Sequence, residues 1–110
     1  MKTLKLTIEE FENLRFILKE TEENLSYTQK EIDHLRKTIS KKTRDSTMYK
    51  DEKVTEIQNE DIEILEYIVE DWRQEYAMTD NTKREGAYNR LINMQYVYNI
   101  KDKLNKTKYE

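Results

Sequence analysis

The sequence lacks cysteine and proline altogether, and it contains a single glycine, Gly86, and a single histidine, His34. Without cysteine the chain cannot form disulfides, thiolate zinc sites or a cysteine nucleophile. One histidine and one glycine also leave no Ser-His-Asp arrangement, no HExxH motif and no glycine-rich phosphate loop. We therefore expect a protein that is not an enzyme and that needs no cofactor. Because few residues interrupt a helix, long helices are expected.

Long hydrophobic runs are absent as well. The longest apolar stretches are a few residues, far below the ~20 that span a bilayer, and residues 1–6 are too short and too charged for a signal peptide. These observations predict a cytoplasmic protein with no membrane partner. The abundance of Lys, Asn, Ile, Glu and Tyr is typical of an AT-rich genome, which favours a low-GC bacterium, or a phage or mobile element within one.

The composition indicates one folded unit with a thin core. The 110 residues suit a single domain, 1–110, but 39% of them are charged and only 35% are hydrophobic. The net charge of −3 is too small to keep the chain unfolded by self-repulsion. The apolar residues recur at helical spacing, which predicts an all-α fold.

A first helix is predicted over about residues 8–44. Thr7 and Glu10 form a capping-box pattern at its start. Apolar residues then repeat in steps of three and four, with Thr21 and Thr28 at two of the positions. The apolar members of this predicted oligomer seam are Phe11, Leu14, Leu18, Leu25, Ile32, Leu35 and Ile39. The favoured interpretation is a parallel coiled-coil dimer, and the alternative is that the seam packs inside a monomeric three-helix bundle.

Two further helices are predicted over about 52–78 and 83–105. The second has a broad apolar arc, and the third begins after a capping-box pattern at Thr82 and Glu85. Leu4, Lys5 and Leu6 alternate as a strand would, but the segment is judged too short to matter alone. The predicted fold is a long coiled-coil-like helix followed by a two-helix hairpin.

His34 is the one candidate for metal chemistry. Glu31 and His34 match the Glu-x-x-His element of carboxylate-bridged di-iron bundles. In the heptad frame, however, His34 lies on the solvent side, whereas metal ligands must point into the core. We therefore expect no metal site.

The near-neutral total charge hides a strong segregation along the chain. Residues 1–35, 36–50, 51–80 and 81–110 carry net charges of −3, +5, −9 and +4. An acidic stripe on the predicted second helix consists of Glu52, Glu56, Glu60, Glu63, Glu66 and Glu70. This stripe is either simply solvated, or neutralised by Lys and Arg of the third predicted helix and of the 36–50 segment, or it docks on a basic partner.

A basic cluster lies at the end of the first predicted helix. It consists of Arg36, Lys37, Lys41, Lys42 and Arg44. Such a cluster can bind nucleic-acid phosphates. The pattern of a basic zipper is not met, because here the basic residues follow the heptads and do not precede them.

Three functions are compatible with these features. The favoured one is a homo-oligomeric helical regulator, a dimer by preference, that binds an unidentified protein partner through Tyr88 and Tyr96, although both tyrosines could equally complete the core. The second is an inhibitor whose acidic stripe imitates a nucleic-acid backbone and blocks a nucleic-acid-binding protein. The third is a nucleic-acid-binding protein that uses the 36–50 segment.

Overall fold

The chain folds as a mixed α/β protein, so the all-α prediction is wrong. A computed structural model describes the backbone of residues 1–78 and 94–110 and the side chains of 1–75 and 94–110. Within these ranges there are three strands and four helices. Their order is β1 (Lys2–Thr7), α1 (Ile8–Glu20), α2 (Gln29–Lys41), β2 (Thr43–Asp45), β3 (Glu52–Ile57), α3 (Asn59–Met78) and α4 (Met94–Lys108).

The three strands form one antiparallel sheet in the order β1-β3-β2. Leu4 lies opposite Thr55, which lies opposite Thr43 on its other side. The alternating residues Leu4, Lys5 and Leu6 therefore do belong to a strand, β1. A short strand is stable only when neighbours complete its hydrogen bonds, and here the partner strand is about fifty residues away in the sequence. Local periodicity could not reveal that pairing.

The predicted first helix is two helices, α1 and α2, separated by residues 21–28. The Asn24 side-chain oxygen accepts hydrogen bonds from the backbone N–H groups of Ser26 at 2.7 Å and Tyr27 at 3.1 Å, which fixes a turn. Thr28 then caps α2, and Glu31 completes a capping box. The helix breaks because these polar side chains satisfy the backbone in a non-helical conformation.

The second and third predicted helices are also shifted. Residues 52–57 form strand β3, so α3 begins at Asn59, and its described part runs to Met78. The predicted start of the third helix near residue 83, with the capping pattern at Thr82 and Glu85, lies outside the described residues. Helix α4 ends at Lys108, three residues beyond the prediction.

The coiled-coil and helical-bundle predictions are wrong because the seam residues fill the protein's own core. Three of them lie on α1 and three on α2, and all six are at most 7% exposed. The seventh, Leu25, lies in the 21–28 segment and is fully exposed. An unbroken seam along one helix does not exist.

The helices cover one face of the sheet. Leu4, Leu6 and Ile57 belong to a single apolar cluster with buried residues of all four helices. On this face Lys2 lies opposite Ile57 and Leu4 opposite Thr55, so the apolar side chains of β1 and β3 share it. In the described part of the chain no helix is both long and apolar enough to cross a bilayer.

Helix α4 joins the end of the chain to its beginning. The Lys103 ammonium contacts the Glu10 carboxylate, which is buried and also accepts a hydrogen bond from the Thr7 backbone N–H at 2.8 Å. The Lys2 ammonium donates to the Lys108 carbonyl. The N-terminal capping box, confirmed by the structure, is thus also an ion-pair site that holds α4.

Candidate nucleic-acid interface

Helix α2 presents an exposed basic surface. Lys30, Lys37 and Lys41 are all exposed, and their spacing places them within one narrow arc opposite the buried Ile32 and Leu35. The arc is about 16 Å long at a rise of ~1.5 Å per residue. Lys42 and Arg44, also exposed, follow at the end of α2 and in β2. We call these five residues the basic face: Lys30, Lys37, Lys41, Lys42 and Arg44.

The position of α2 is fixed at its beginning by local sequence. The Thr28 hydroxyl accepts the Glu31 N–H at 3.2 Å, and the Glu31 carboxylate accepts the Thr28 N–H at 3.0 Å. Tyr27 and Ile32 occupy the two positions of a hydrophobic staple and are both buried. Burial, together with the nearby Asp71 carboxylate that accepts its hydrogen bond, raises the pKa of Tyr27 to about 12.

Arg36 holds α2 against α1. Its guanidinium donates hydrogen bonds to the backbone carbonyls of Leu18 at 2.8 Å, Lys19 at 3.0 Å and Thr21 at 3.1 Å. A fourth bond goes to the Asp33 carboxylate at 3.1 Å. These carbonyls belong to the C-terminal end of α1, which lacks intrahelical donors and carries partial negative charge. Arg36, predicted as part of the basic cluster, therefore has a structural partner and is not part of the basic face.

The β2–β3 hairpin extends the basic face. The hydroxyls of Thr43 and Thr55 lie 2.6 Å apart across the two strands, and Lys53 pairs with Asp45. At the tip, the Ser46 hydroxyl accepts the N–H groups of Met48 at 3.1 Å and Tyr49 at 3.3 Å. The turn leaves Met48, Tyr49 and Lys50 exposed.

The charge of this region is strongly positive. Residues 29–50 contain seven bases and three acids, a net charge of +4, so the rest of the chain carries −7. Among the residues whose side chains are described, Lys30, Lys37, Lys41 and Lys42 form no ion pair. Arg44 has one partner, Glu56, at 3.5 Å. Four of the five cations of the basic face are therefore available to a ligand.

The predicted acidic stripe is divided between two elements. Glu52 and Glu56 lie on β3, and Glu60, Glu63, Glu66 and Glu70 lie on α3. The Lys108 ammonium is 4.0 Å from the Glu63 carboxylate and 3.7 Å from that of Glu66. These residues do not form one helical stripe, because the segment that carries the first two is a strand.

Glu70 is the most strongly paired of these acids. Its carboxylate accepts hydrogen bonds from Arg73, two of them at 3.1 and 3.0 Å, and from Lys101 of α4. These donors lower the pKa of Glu70 to about 2, and the same contact raises the pKa of Arg73. Lys101 lies within the range predicted for the third helix, one of the two segments expected to neutralise the stripe, whereas Lys108 lies beyond that range.

The predicted aromatic contact is only partly described. Tyr88 lies outside the described residues, and Tyr96 on α4 is half-buried. Other tyrosines are more exposed, at 57% for Tyr49 and 61% for Tyr67. The contact through Tyr88 and Tyr96 therefore stays a prediction.

His34 contacts a carboxylate but lies in no metal cluster. Its Nε2 atom is 3.1 Å from an oxygen of Asp61, a residue of the first turn of α3. Within the described ranges, no group of three or more His, Asp or Glu residues is arranged to hold a metal ion. The contact ties α2 to α3, and it lies beside the basic face because His34 shares the arc of Lys30 and Lys37.

Sequence reasoning missed two contributors to this region. Lys30 was not assigned to the basic cluster, although it lies seven residues before Lys37 and therefore on the same side of a helix. The second is the hairpin tip, whose signal is the run of turn-forming residues from Asp45 to Thr47.

Known proteins offer no guide to this surface. No protein-family model matches the chain, and no match was found among curated proteins or solved structures.

Proposed function

We propose that this protein is a non-enzymatic nucleic-acid-binding protein that contacts the phosphates of a duplex through its basic face. One observation carries the proposal. Three acids of α3, Glu63, Glu66 and Glu70, are paired with lysines of α4, whereas the lysines of α2 have no ion pair among the described residues. The basic face is therefore a concentration of unpaired positive charge on the described surface.

The shape of the region suits a duplex. An α-helix fits the major groove of B-DNA, and its cations can reach the phosphates on either side. The three lysines of α2 lie along about 16 Å of one helix face, which covers several phosphates at ~3.4 Å of helix axis per phosphate on one strand. The exposed hairpin next to α2 adds Arg44 and Lys50 as further contacts.

A salt titration tests the proposal directly. A fluorescein-labelled 20-base-pair duplex is titrated with the protein, and anisotropy gives the affinity at several salt concentrations. Each phosphate contact contributes about −0.9 to the slope of log K against log salt concentration. Gln has a polar side chain only one atom shorter than that of Lys, with a similar helix propensity. Replacing Lys37 or Lys41 by Gln should make the slope shallower by about 0.9, and replacing both should make it shallower by about 1.8.

Lys106→Gln is the matched control. Lys106 is an exposed lysine on a different helix, α4, and its replacement changes the net charge equally. It should leave the slope within about 0.3 of the wild type, since it contacts no phosphate. Equal effects of all three substitutions would show that only net charge matters. Absence of binding even at low salt would refute the proposal.

The oligomeric regulator and the acidic inhibitor stay predictions. Six of the seven residues assigned to the oligomer seam are buried in the core, so a dimer would need a different surface. For the inhibitor, pairing with Arg73, Lys101 and Lys108 reduces the negative charge that α3 can offer a partner. Light scattering of the purified protein would measure the oligomeric state.

A further inference from the structure

An open cleft of about 510 Å³ lies between α1 and α2. Phe16, Leu18 and Ile39 contribute its apolar wall. Leu18 and Ile39 are almost fully buried, so they form the floor, while Phe16 is only partly buried and packs beside the core. A volume of this size falls within the range of small-molecule sites, ~300 to 1,000 Å³.

The polar lining of the cleft is mainly cationic. It contains Arg15, Lys19 and Arg36 against the single acid Glu12, with the Ser40 hydroxyl as the neutral group. Glu12 lies 3.6 Å from Arg15, so these two largely offset each other. Arg36 likewise lies 3.1 Å from Asp33, so Lys19 is the one lining cation without an ion pair among the described side chains. The cleft therefore combines an apolar floor with a rim that keeps a small net positive charge.

Arg36 supplies a fixed cation at this rim. Four of its five N–H groups are used in the hydrogen bonds to the α1 carbonyls and Asp33, which hold the guanidinium in place before any ligand arrives. A cation held in this way loses little conformational entropy when an anion binds. Lys19, at the end of α1, is an exposed second cation that lines the same cleft.

We propose that this cleft binds a small amphipathic carboxylate, with its anionic group between Lys19 and Arg36 and its apolar tail over Phe16, Leu18 and Ile39. The combination of surfaces decides the class of ligand. Inorganic phosphate or a nucleic-acid backbone gains nothing from an apolar floor, and a neutral hydrocarbon gains nothing from the cations. This site is separate from the basic face, whose lysines do not line the cleft.

Trp72 provides a readout that needs no knowledge of the protein's activity. It is the chain's single tryptophan, its ring meets that of Phe16 edge to face at 6.3 Å, and its indole N–H donates to the Thr21 hydroxyl at 3.1 Å. A ligand tail that packs on Phe16 changes the surroundings of this indole. Binding should therefore alter the intensity or the maximum of the tryptophan fluorescence.

The test compares three probes, octanoate, octanol and acetate, by calorimetry and by Trp72 fluorescence. Octanoate should bind, octanol should bind at least about tenfold more weakly because it lacks the charge, and acetate should not bind because it lacks the tail. Equal binding of octanoate and octanol would overturn the proposal, since the cations would then play no part. Absence of octanoate binding would also overturn it.

Two variants locate the ligand. Lys19→Gln should weaken octanoate about tenfold, whereas Lys106→Gln, an exposed lysine of α4, should leave its affinity unchanged. Ser40→Leu places a larger side chain at an exposed helical position that lines the cleft, and it should abolish binding. Asn105→Leu, the same replacement side chain on the exposed side of α4, is its control. If Ser40→Leu and Asn105→Leu bound octanoate equally well, the ligand would lie elsewhere.

Discussion

Replacement of Arg36 by Met tests whether this residue supports the fold or belongs to the nucleic-acid surface. Methionine keeps the unbranched side chain and a good helix propensity, but it removes all four guanidinium hydrogen bonds. We expect the three carbonyls at the end of α1 to lose their donor. The helix end and its contact with α2 should then be less stable.

The expected loss of stability in Arg36→Met can be estimated from the hydrogen bonds of Arg36 and from its exposure to water. Hydrogen bonds to charged groups contribute ~1.5 to 3 kcal/mol each, so three carbonyl bonds set an upper limit near 9 kcal/mol. The Arg36 side chain is 35% exposed, and water can replace it at a helix C-terminus. We therefore expect a loss of about 2 to 3 kcal/mol in the free energy of unfolding. For a chain of this length that lowers Tm by about 10 °C.

Urea and thermal unfolding followed by circular dichroism measure this effect. Arg36→Lys should recover less than half of the loss, because an ammonium cannot reproduce the planar fork that reaches several carbonyls at once. Lys37→Met, on the exposed side of the same helix, should change stability by less than about 0.5 kcal/mol. The reasoning is refuted if Arg36→Met is as stable as Lys37→Met and instead makes the salt dependence of DNA binding shallower.

Two further predictions concern the core and the acid range. Leu18 is buried, so Leu18→Ala should lower the free energy of unfolding by about 2 to 5 kcal/mol, as measured by urea unfolding. Leu25 is fully exposed, so Leu25→Ala should lower it by less than about 0.5 kcal/mol. Similar losses for the two variants would instead support one continuous seam. The Glu70 pKa is lowered from 4.5 to about 2, so its stabilising effect is complete above pH 4.5 and is lost as the pH falls towards 2. Glu70→Gln should therefore flatten the pH dependence of unfolding in that window, and an unchanged slope would contradict the assignment.

Features encoded locally were predictable from the sequence. The Thr7 capping box is in the structure as expected. It depends on two residues within one turn of each other, through the hydroxyl of Thr7 and the carboxylate of Glu10. The buried residues of α3, among them Ile62, Leu65 and Ile68, also lie on the predicted apolar arc.

The break between α1 and α2 is also encoded by nearby residues, but the heptad spacing of the segment hides it. Thr21 and Thr28 fill positions of the heptad pattern, so the steps of three and four continue across the break. In the structure Thr21 is the C-cap of α1 and Thr28 is the N-cap of α2. The pattern Thr28-x-x-Glu31 has the same form as the one that marks the start of α1. If the capping-box pattern is recognised at Thr28 as well as at Thr7, the sequence predicts two helices.

The sheet could not be found by local reasoning. Strand β1 lies at the start of the chain, and β3, its partner, begins at Glu52. The pairing depends on contacts between distant residues, which no period in either segment reveals. With β3 interpreted as helix, Glu52 and Glu56 were placed on the same surface as Glu70, and the acidic stripe became longer than it is.

The fold decides which of the segregated charges remain unneutralised. Helix α4 packs on α3 and beside β1, so its lysines meet acids of α1 and α3: Lys101 pairs with Glu70, Lys108 with Glu66, and Lys103 with Glu10. Among the described residues no acid pairs with the lysines of α2, whose exposed side meets α3 only through the contact between His34 and Asp61. A chain of net charge −3 can therefore present a surface that is locally cationic, and for that reason net charge alone is a poor guide to its ligand.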